Sequence, residues 1–372
     1  MDLISISLAG VVLLYLLLIL VFMAGLGRLS AGKVKTKSYT GRVSVLIPFR
    51  NEKEHLLALL ESLQEQVAGL DNVEVIVSDD HSSDGSGAAA EDFCRGRKNF
   101  TCLPPAEGIR GKKKVLERAI LVARGEWIIQ LDADVAIGPS FLQAHLEKRA
   151  EAEYALISAP VIVSPLTGFR EYLEALEFMS LNASGAGSFG AGNAVMCNGA
   201  NLAYSRQAWL GARNKLQEKH TPSGDDMFLL HALKKDRGKM TFLADTRASV
   251  RILPNSGWAG FFMQRSRWSS KTLYYTDGAT LFTAFIVYFS SLLMLLSLFQ
   301  VLAGHSDPLV PVIAFLAKTL ADFIFLRKYS HLTNQQKILK YFVPAALFHY
   351  FYIVVTPLLP LIFKVKWKGR SY

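Results

Sequence analysis

The chain has 372 residues, of which 51% are hydrophobic, and carries a formal net charge of +10 at neutral pH. This length allows one large domain or two ordinary ones. High positive charge is typical of nucleic-acid-binding proteins, but none of the known aromatic-rich basic modules is present, so we expect no nucleic acid partner. Cys94, Cys102 and Cys197 form neither a metal-ligand spacing nor a paired set, which favours buried thiols in a reducing compartment.

Four apolar stretches predict membrane association. Residues 3–26 and 279–304 contain no charged residue, and each is long enough to cross a hydrocarbon core of about 30 Å as a helix. Residues 308–326 contain Lys318 and Asp322, which lie four apart on one helical face and are expected to pair. The fourth stretch, residues 341–363, is interrupted by prolines. We therefore predict three or four crossings.

Basic residues around these stretches predict the orientation. Four Lys or Arg residues lie within 28–37, whereas the loop 304–308 has none. By the positive-inside tendency, the N-terminus lies outside and the middle of the chain lies in the cytosol, as in an integral protein of a bacterial inner membrane. After four crossings the basic tail, residues 364–370, would lie outside. The last stretch is therefore either a crossing or a re-entrant or interfacial hairpin.

These features divide the chain into four predicted parts. Residues 1–28 form an N-terminal transmembrane helix and residues 29–42 a linker. Residues 43–277 form a cytosolic domain, and residues 278–372 form a C-terminal transmembrane region with two or three segments.

Strand and helix patterns alternate through the first part of the cytosolic domain. Strands are predicted at 43–48, 73–77, 100–103 and 127–131, with helices after Asn51, after Ser83 and over 112–124. This alternation predicts an α/β domain with a parallel sheet covered on both faces.

Four carboxylates follow the predicted strands. Asp79 and Asp80 end one strand, and Asp132 and Asp134 end another. In parallel sheets ligands bind at the carboxyl ends of the strands. The dinucleotide and phosphate-loop glycine motifs are absent, so a bound nucleotide must be held by carboxylates and a cation. Mg²⁺ needs only one or two protein carboxylates when substrate phosphates supply the other ligands.

The second part of the domain is less regular. A helix is expected from Pro139 to Ala152, a strand over 154–163 and a helix over 169–181. The following Gly-, Ala- and Ser-rich stretch, 183–192, is expected to be a linker or a mobile loop. A strand bearing polar side chains is predicted over 197–204.

Two polar clusters lie in the last part of the predicted domain. Asp225 and Asp226 stand in the first turn of a predicted helix, where they either suit the helix dipole or include a general base. Gln264, Arg267 and Trp268 precede the second long apolar run. They form either an interfacial belt or a phosphate-binding Arg beside an aromatic wall.

Seven short motifs in order resemble the membrane-bound family 2 glycosyltransferases of the GT-A fold. They begin at residues 47, 79, 111, 132, 197, 224 and 264, and include the D-x-D and Q-x-x-R-W motifs. The resemblance covers residues 43 to about 270. It implies a nucleotide-diphospho-sugar transferase domain, Rossmann-like, with α-helical transmembrane segments.

The resemblance also implies roles for individual residues. Asp134 would coordinate Mg²⁺ or Mn²⁺ on the donor diphosphate, Asp226 would be the general base with Asp225 beside it, and Lys112 would help to neutralise the donor. Other residues would contact the donor or close over it: Pro48, Arg50, Glu52, Asp79, Asp80, Asp132, Gln264, Arg267 and Trp268. His81 and Asp225 depart from the family pattern, which more often has a small residue and Glu there.

The expected function is inverting transfer of a sugar from a nucleoside diphosphate sugar, a UDP-sugar in most of the family, to a hydroxyl acceptor in the membrane. A lipid or a lipid-linked glycan would serve as acceptor. The alternatives are a processive polysaccharide synthase and a catalytically silent nucleotide-binding scaffold.

Overall fold

The computed structural model describes residues 2–30, 37–217, 224–362, 366–367 and 370–371. The predicted linker lies partly, and the basic tail mostly, outside these residues. Thirteen helices are described: α1 (Leu3–Ser30), α2 (Lys53–Val67), α3 (Ser86–Cys94), α4 (Lys112–Val122), α5 (Phe141–Glu151), α6 (Phe169–Gly190), α7 (Arg206–Gln217), α8 (Asp225–Lys235), α9 (Gly257–Ser269), α10 (Gly278–Leu302), α11 (Leu309–Leu332), α12 (Phe342–Val355) and α13 (Leu359–Ile362).

The described strands are β1 (Val43–Phe49), β2 (Val73–Asp79), β3 (Phe100–Leu103), β4 (Trp127–Leu131), β5 (Val135–Ile137), β6 (Leu156–Ser158), β7 (Val161–Val163), β8 (Asn201–Ser205), β9 (Met240–Phe242), β10 (Val250–Ile252), β11 (Lys366–Trp367) and β12 (Arg370–Ser371). Short 3₁₀ segments occur at Gln336–Tyr341 and Thr356–Leu358.

The central sheet has seven strands in the order β3-β2-β1-β4-β8-β6-β9. The predicted parallel arrangement is confirmed for β3, β2, β1 and β4. The parallel arrangement does not continue beyond β4, because β8 runs antiparallel to both of its neighbours, β4 and β6. The strand expected over 154–163 is two strands in different sheets, with Pro160 between them. Proline has no backbone N–H to donate to a neighbouring strand, so the strand is interrupted at Pro160.

The Gly-rich stretch 183–192 is not a linker or loop, as expected, but almost entirely the end of helix α6. Its small residues allow close approach to α1. A Cβ added to Gly25 would lie 1.9 Å from the carbonyl oxygen of Gly187, and one added to Gly190 would lie 2.1 Å from that of Gly25. The glycines therefore permit backbone contact between α1 and helix α6 of the α/β domain, as small residues do between membrane helices.

Four helical segments of the described chain are long and apolar enough to cross a membrane: Leu3–Leu29, Gly278–Leu302, Leu309–Leu332 and Gln336–Leu358. The expected pair in the third is confirmed, with Lys318 Nζ 2.8 Å from Asp322 Oδ2.

The fourth segment contacts the α/β domain at both ends. The ring of Tyr341 lies 4.3 Å from that of Tyr172 in α6. At the other end, Ser269 of α9 donates a hydrogen bond of 3.3 Å to the carbonyl of Thr356. The fourth segment is therefore held at both ends by elements of the α/β domain.

Candidate active site

The strand ends of the central sheet form one wall of a polar cavity of about 510 Å³. Phe49, at the end of β1, pairs in register with Asp79 at the end of β2, and β4 ends beside them at Leu131. The loops after these strands, the start of α8 and helix α9 supply the other walls. The predicted ligand edge of the sheet is therefore built by the topology of β1, β2 and β4.

Twelve of the thirteen residues predicted for the site line this cavity: Pro48, Arg50, Glu52, Asp80, Lys112, Asp132, Asp134, Asp225, Asp226, Gln264, Arg267 and Trp268. Asp79 does not. Its side chain is buried and accepts hydrogen bonds from the backbone N–H and the hydroxyl of Ser82, at 2.9 and 2.6 Å. Successive side chains of a strand point to opposite faces, so Asp79 shapes the turn while Asp80 faces the cavity.

Asp80 joins two loops of the cavity wall. Its Oδ1 accepts a hydrogen bond of 2.9 Å from the N–H of Gly111, and its carbonyl accepts one of 2.8 Å from Arg50. Gly111 has φ of 92°, a conformation that favours glycine. His81, the departure noted in the sequence, has φ of 61°, a backbone conformation that is uncommon for residues other than glycine.

Lys112 lies between the D-x-D motif and the acids of α8. Its Nζ is 2.5 Å from Asp132 Oδ1 and 3.9 Å from Asp225 Oδ2. Burial by itself would lower the pKa of Lys112, but the carboxylates of Asp132 and Asp225 together hold it above its ordinary value. Lys112 is therefore a permanent cation at the centre of the cavity.

The donor set fits a divalent cation shared with a diphosphate. Within the described residues, no group of three or more His, Cys, Asp or Glu side chains could hold a metal ion alone. Asp132 and Asp134 both line the cavity and offer hard carboxylate oxygens. The charged Asp, Glu, Lys and Arg side chains of the lining are six carboxylates and four cations, an excess of two negative charges. A diphosphate would be repelled here unless a cation accompanied it.

Asp226 is held by backbone groups in the first turn of α8. Its Oδ2 accepts from the N–H of Gly199 at 3.1 Å, and its Oδ1 accepts from the N–H of Met227 at 2.8 Å. Lys271 Nζ lies 3.9 Å from the same Oδ1. The carboxylate is thus fixed in position with a cation beside it.

The carboxylate of Asp225 contacts other side chains of the protein. Gln130 donates to its Oδ2 at 2.9 Å, and Lys112 faces it. Burial acts to raise the pKa of Asp225, but the Lys112 ammonium and the Gln130 amide hold it below its usual range. This carboxylate stays ionised and orients its neighbours.

Helix α9 carries the Q-x-x-R-W residues, and a buried ion pair holds this helix against α6. Arg265, only 1% exposed, donates from Nε to Glu177 of α6 at 2.8 Å and from Nη1 to Gln264 Oε1 at 2.6 Å. The hydroxyl of Tyr352 in α12 donates to Glu177 as well. The ring of Trp268 meets Phe178 edge to face at 5.4 Å. The interfacial-belt interpretation therefore does not describe Gln264 and Trp268, which face the cavity.

Three residues that hold or face the site residues, Gln130, Lys271 and Arg265, were not predicted. Gln130 had a signal, since it is a polar side chain in an otherwise apolar strand. Lys271 and Arg265 are basic residues just before the second long apolar run, a position that indicates membrane orientation and gives no signal for the site. Their roles depend on which helix they face, which the sequence does not give.

A second cavity, of about 740 Å³, lies between the membrane helices and α6. Its lining is mainly apolar and follows α10 from Thr280 to Phe289, about 14 Å at the helical rise per residue. Four residues line both cavities: Asn198, Asp226, Trp268 and Lys271. The polar and the apolar cavity are therefore adjacent, and these four residues lie between them.

Comparison with known proteins agrees with this architecture. The family model "Glycosyl transferase family 2" matches residues 44–209, and "Glycosyl transferase family group 2" matches residues 127–359. A putative glycosyltransferase, EpsH of Bacillus subtilis, is 32% identical over 107 residues, 29% of this chain and 30% of the relative. A poly(ribitol-phosphate) beta-glucosyltransferase of Bacillus spizizenii is 28% identical over 101 residues, 27% of this chain and 16% of the relative. The chain thus matches less than a third of either relative's length.

Among solved structures, the mannosyltransferase PcManGT of Pyrobaculum calidifontis, in complex with GDP-Man and Mn²⁺, is similar at a TM-score of 0.55. The two chains are 18% identical, and the match covers 92% of this chain and 98% of that one. Since one family model spans more than half of the sequence and the central sheet matches this neighbour, the chain belongs to the family 2 glycosyltransferases and has the GT-A fold with four candidate membrane helices.

Proposed function

We propose that the protein transfers a sugar, with inversion, from a nucleoside diphosphate sugar to a hydroxyl group of a membrane lipid. The single observation that carries this proposal is that the two cavities share Asp226 in their linings, together with Asn198, Trp268 and Lys271. A polar cavity suits the donor, an apolar cavity between membrane helices suits a lipid chain, and the reacting atoms must meet where both are open.

In this mechanism Asp226 is the general base. A hydroxyl is a weak nucleophile at neutral pH, so its proton passes to the Asp226 carboxylate as its oxygen bonds to the anomeric carbon. The bond between that carbon and the diphosphate oxygen breaks on the opposite side, and no covalent enzyme intermediate forms. Gly199 and Met227 hold the base through their N–H groups. Asp225 positions Lys112 and Gln130 and does not touch the acceptor.

The leaving diphosphate gains negative charge as the bond breaks. Lys112 and Arg267 line the donor cavity and would stabilise that charge, while Asp134, with Asp132 beside it, would hold Mg²⁺ or Mn²⁺. The metal, when bound, supplies Lewis-acid stabilisation of the diphosphate. We propose a UDP-sugar as donor. The GDP-Man in the PcManGT complex makes a GDP-sugar the alternative.

Two other functions receive less support. A processive polysaccharide synthase needs a channel of polar side chains for its product, whereas the second cavity is lined mainly by apolar ones. A catalytically silent scaffold would not require its acidic side chains to lie together. Four of them nevertheless line one cavity: Asp132, Asp134, Asp225 and Asp226.

The test uses full-length protein in nanodiscs with a panel of UDP- and GDP-sugars, a divalent cation and membrane lipids. We expect one donor to label a chloroform-soluble product, with the anomeric configuration by NMR opposite to that of the donor. Long water-soluble polymer, or retention of configuration, would contradict the proposal.

A further inference from the structure

The second cavity, which lies between the candidate membrane helices and α6, is called the membrane cavity here. The charged side chains that line it form three pairs within the described part of the chain. The cavity contains the acids Glu177, Asp226 and Asp322 and the bases Arg265, Lys271 and Lys318. Each acid lies opposite one base. The lining is therefore polar at three places and carries no net charge from these groups.

In two of the pairs the base is almost fully buried and lies within hydrogen-bonding distance of its acid. Lys318 is 1% exposed, with Nζ 2.8 Å from Asp322 Oδ2, and the hydroxyl of Tyr15 donates to the same carboxylate. Arg265, equally buried, donates to Glu177 at 2.8 Å. Neither base can reach an anionic ligand without leaving its carboxylate unpaired, which is costly at buried positions.

The third pair lies at the reaction point. Lys271 is 8% exposed and stands 3.9 Å from Asp226. A phosphate in this position would lie beside the Asp226 carboxylate and would compete with it for the Lys271 ammonium. A phosphate oxygen is also ionised at neutral pH, so it needs no base, whereas a neutral hydroxyl does.

We infer that the acceptor is an electrically neutral lipid, with an uncharged hydroxyl at Asp226 and its apolar chain along α10. Glycerolipids and sphingoid lipids with a free hydroxyl belong to this class. Polyprenyl phosphates and glycans carried on lipid diphosphates do not. The inference rests on the proposed function, because it names the acceptor of that same reaction.

The experiment compares acceptors in nanodiscs at pH 8. Diacylglycerol, ceramide, polyprenyl phosphate and a lipid-linked disaccharide are supplied separately with the active donor. We expect kcat/KM for one of the two neutral lipids to exceed that for both anionic lipids about tenfold or more, as expected when a charged group is left unpaired.

The outcomes separate the inference from the proposed function. Equal or faster transfer to polyprenyl phosphate or to the lipid-linked disaccharide would overturn the neutral class but leave lipid glycosylation standing. Labelled polymer with no labelled lipid would overturn both.

Two variants test the role of charge pairing. Asp322→Asn leaves Lys318 without its carboxylate and should raise the rate ratio of polyprenyl phosphate to diacylglycerol by about threefold or more. The matched control is the double variant Lys318→Met and Asp322→Leu, which removes both charges and should keep the wild-type ratio. An unchanged ratio in Asp322→Asn would contradict the inference, and if that variant does not fold, the acceptor panel with the wild type decides.

Discussion

Replacing Asp226 by Asn tests the proposed base most directly, because Asn has nearly the same shape and cannot accept a proton. In the structure the two carboxylate oxygens accept from the N–H groups of Gly199 and Met227. The Asn side chain has one carbonyl oxygen and can satisfy only one of these donors. The fold should lose on the order of 1 kcal/mol, the net contribution of one hydrogen bond.

Catalysis should lose much more. Removing a general base costs typically 10²–10⁴-fold in rate, which corresponds to roughly 2.7–5.4 kcal/mol of barrier. We would measure initial rates with radiolabelled donor, donor affinity by calorimetry and thermal unfolding in the same detergent. The expected result is a rate loss in this range, donor binding within about threefold of the wild type and a small change in the unfolding temperature.

The control is Asp236→Asn, which changes an acid just beyond the other end of α8. Asp236 makes a surface pair with Lys215, and both side chains are about half exposed, so the rate should stay near that of the wild type. A more acidic acceptor, such as a lipid phenol, should recover part of the rate in the Asp226→Asn enzyme. A rate within about tenfold of the wild type would refute the assignment of the base.

Three further predictions concern the metal, the helix contact and the topology. Asp134→Ala should abolish the dependence of nucleotide affinity on Mg²⁺ or Mn²⁺, and unchanged metal-dependent binding by calorimetry would contradict its role as a ligand. Gly187→Leu should destabilise the fold by about 1–3 kcal/mol through overpacking, since a Cβ at Gly187 would lie 2.7 Å from Phe22 of α1; Gly10→Leu, with open space around its Cβ, is the control in thermal unfolding. If the last segment is re-entrant, a cysteine at Leu358 should react with impermeant maleimide only from the side of the catalytic domain, and one at His305 only from the opposite side; labelling of both from one side would contradict three crossings.

The sequence by itself determined the α/β class, the first four parallel strands, four apolar segments and twelve of the residues that line the donor cavity. These features follow from local rules. Apolar runs set strands and membrane helices, and the carboxyl ends of parallel strands share one edge.

Only the tertiary structure decided the remaining features, because each depends on contacts between residues far apart in the chain. The antiparallel insertion of β8 between β4 and β6 has no periodic signal. The Gly-rich stretch became helix because α1 packs closely against it, which no local propensity encodes. Asp79 and Asp80 are adjacent, yet the pleat of β2 directs only one of them into the cavity. The pairing of Lys271 with Asp226 joins α8 to the segment after α9, and both residues lie between the donor and membrane cavities.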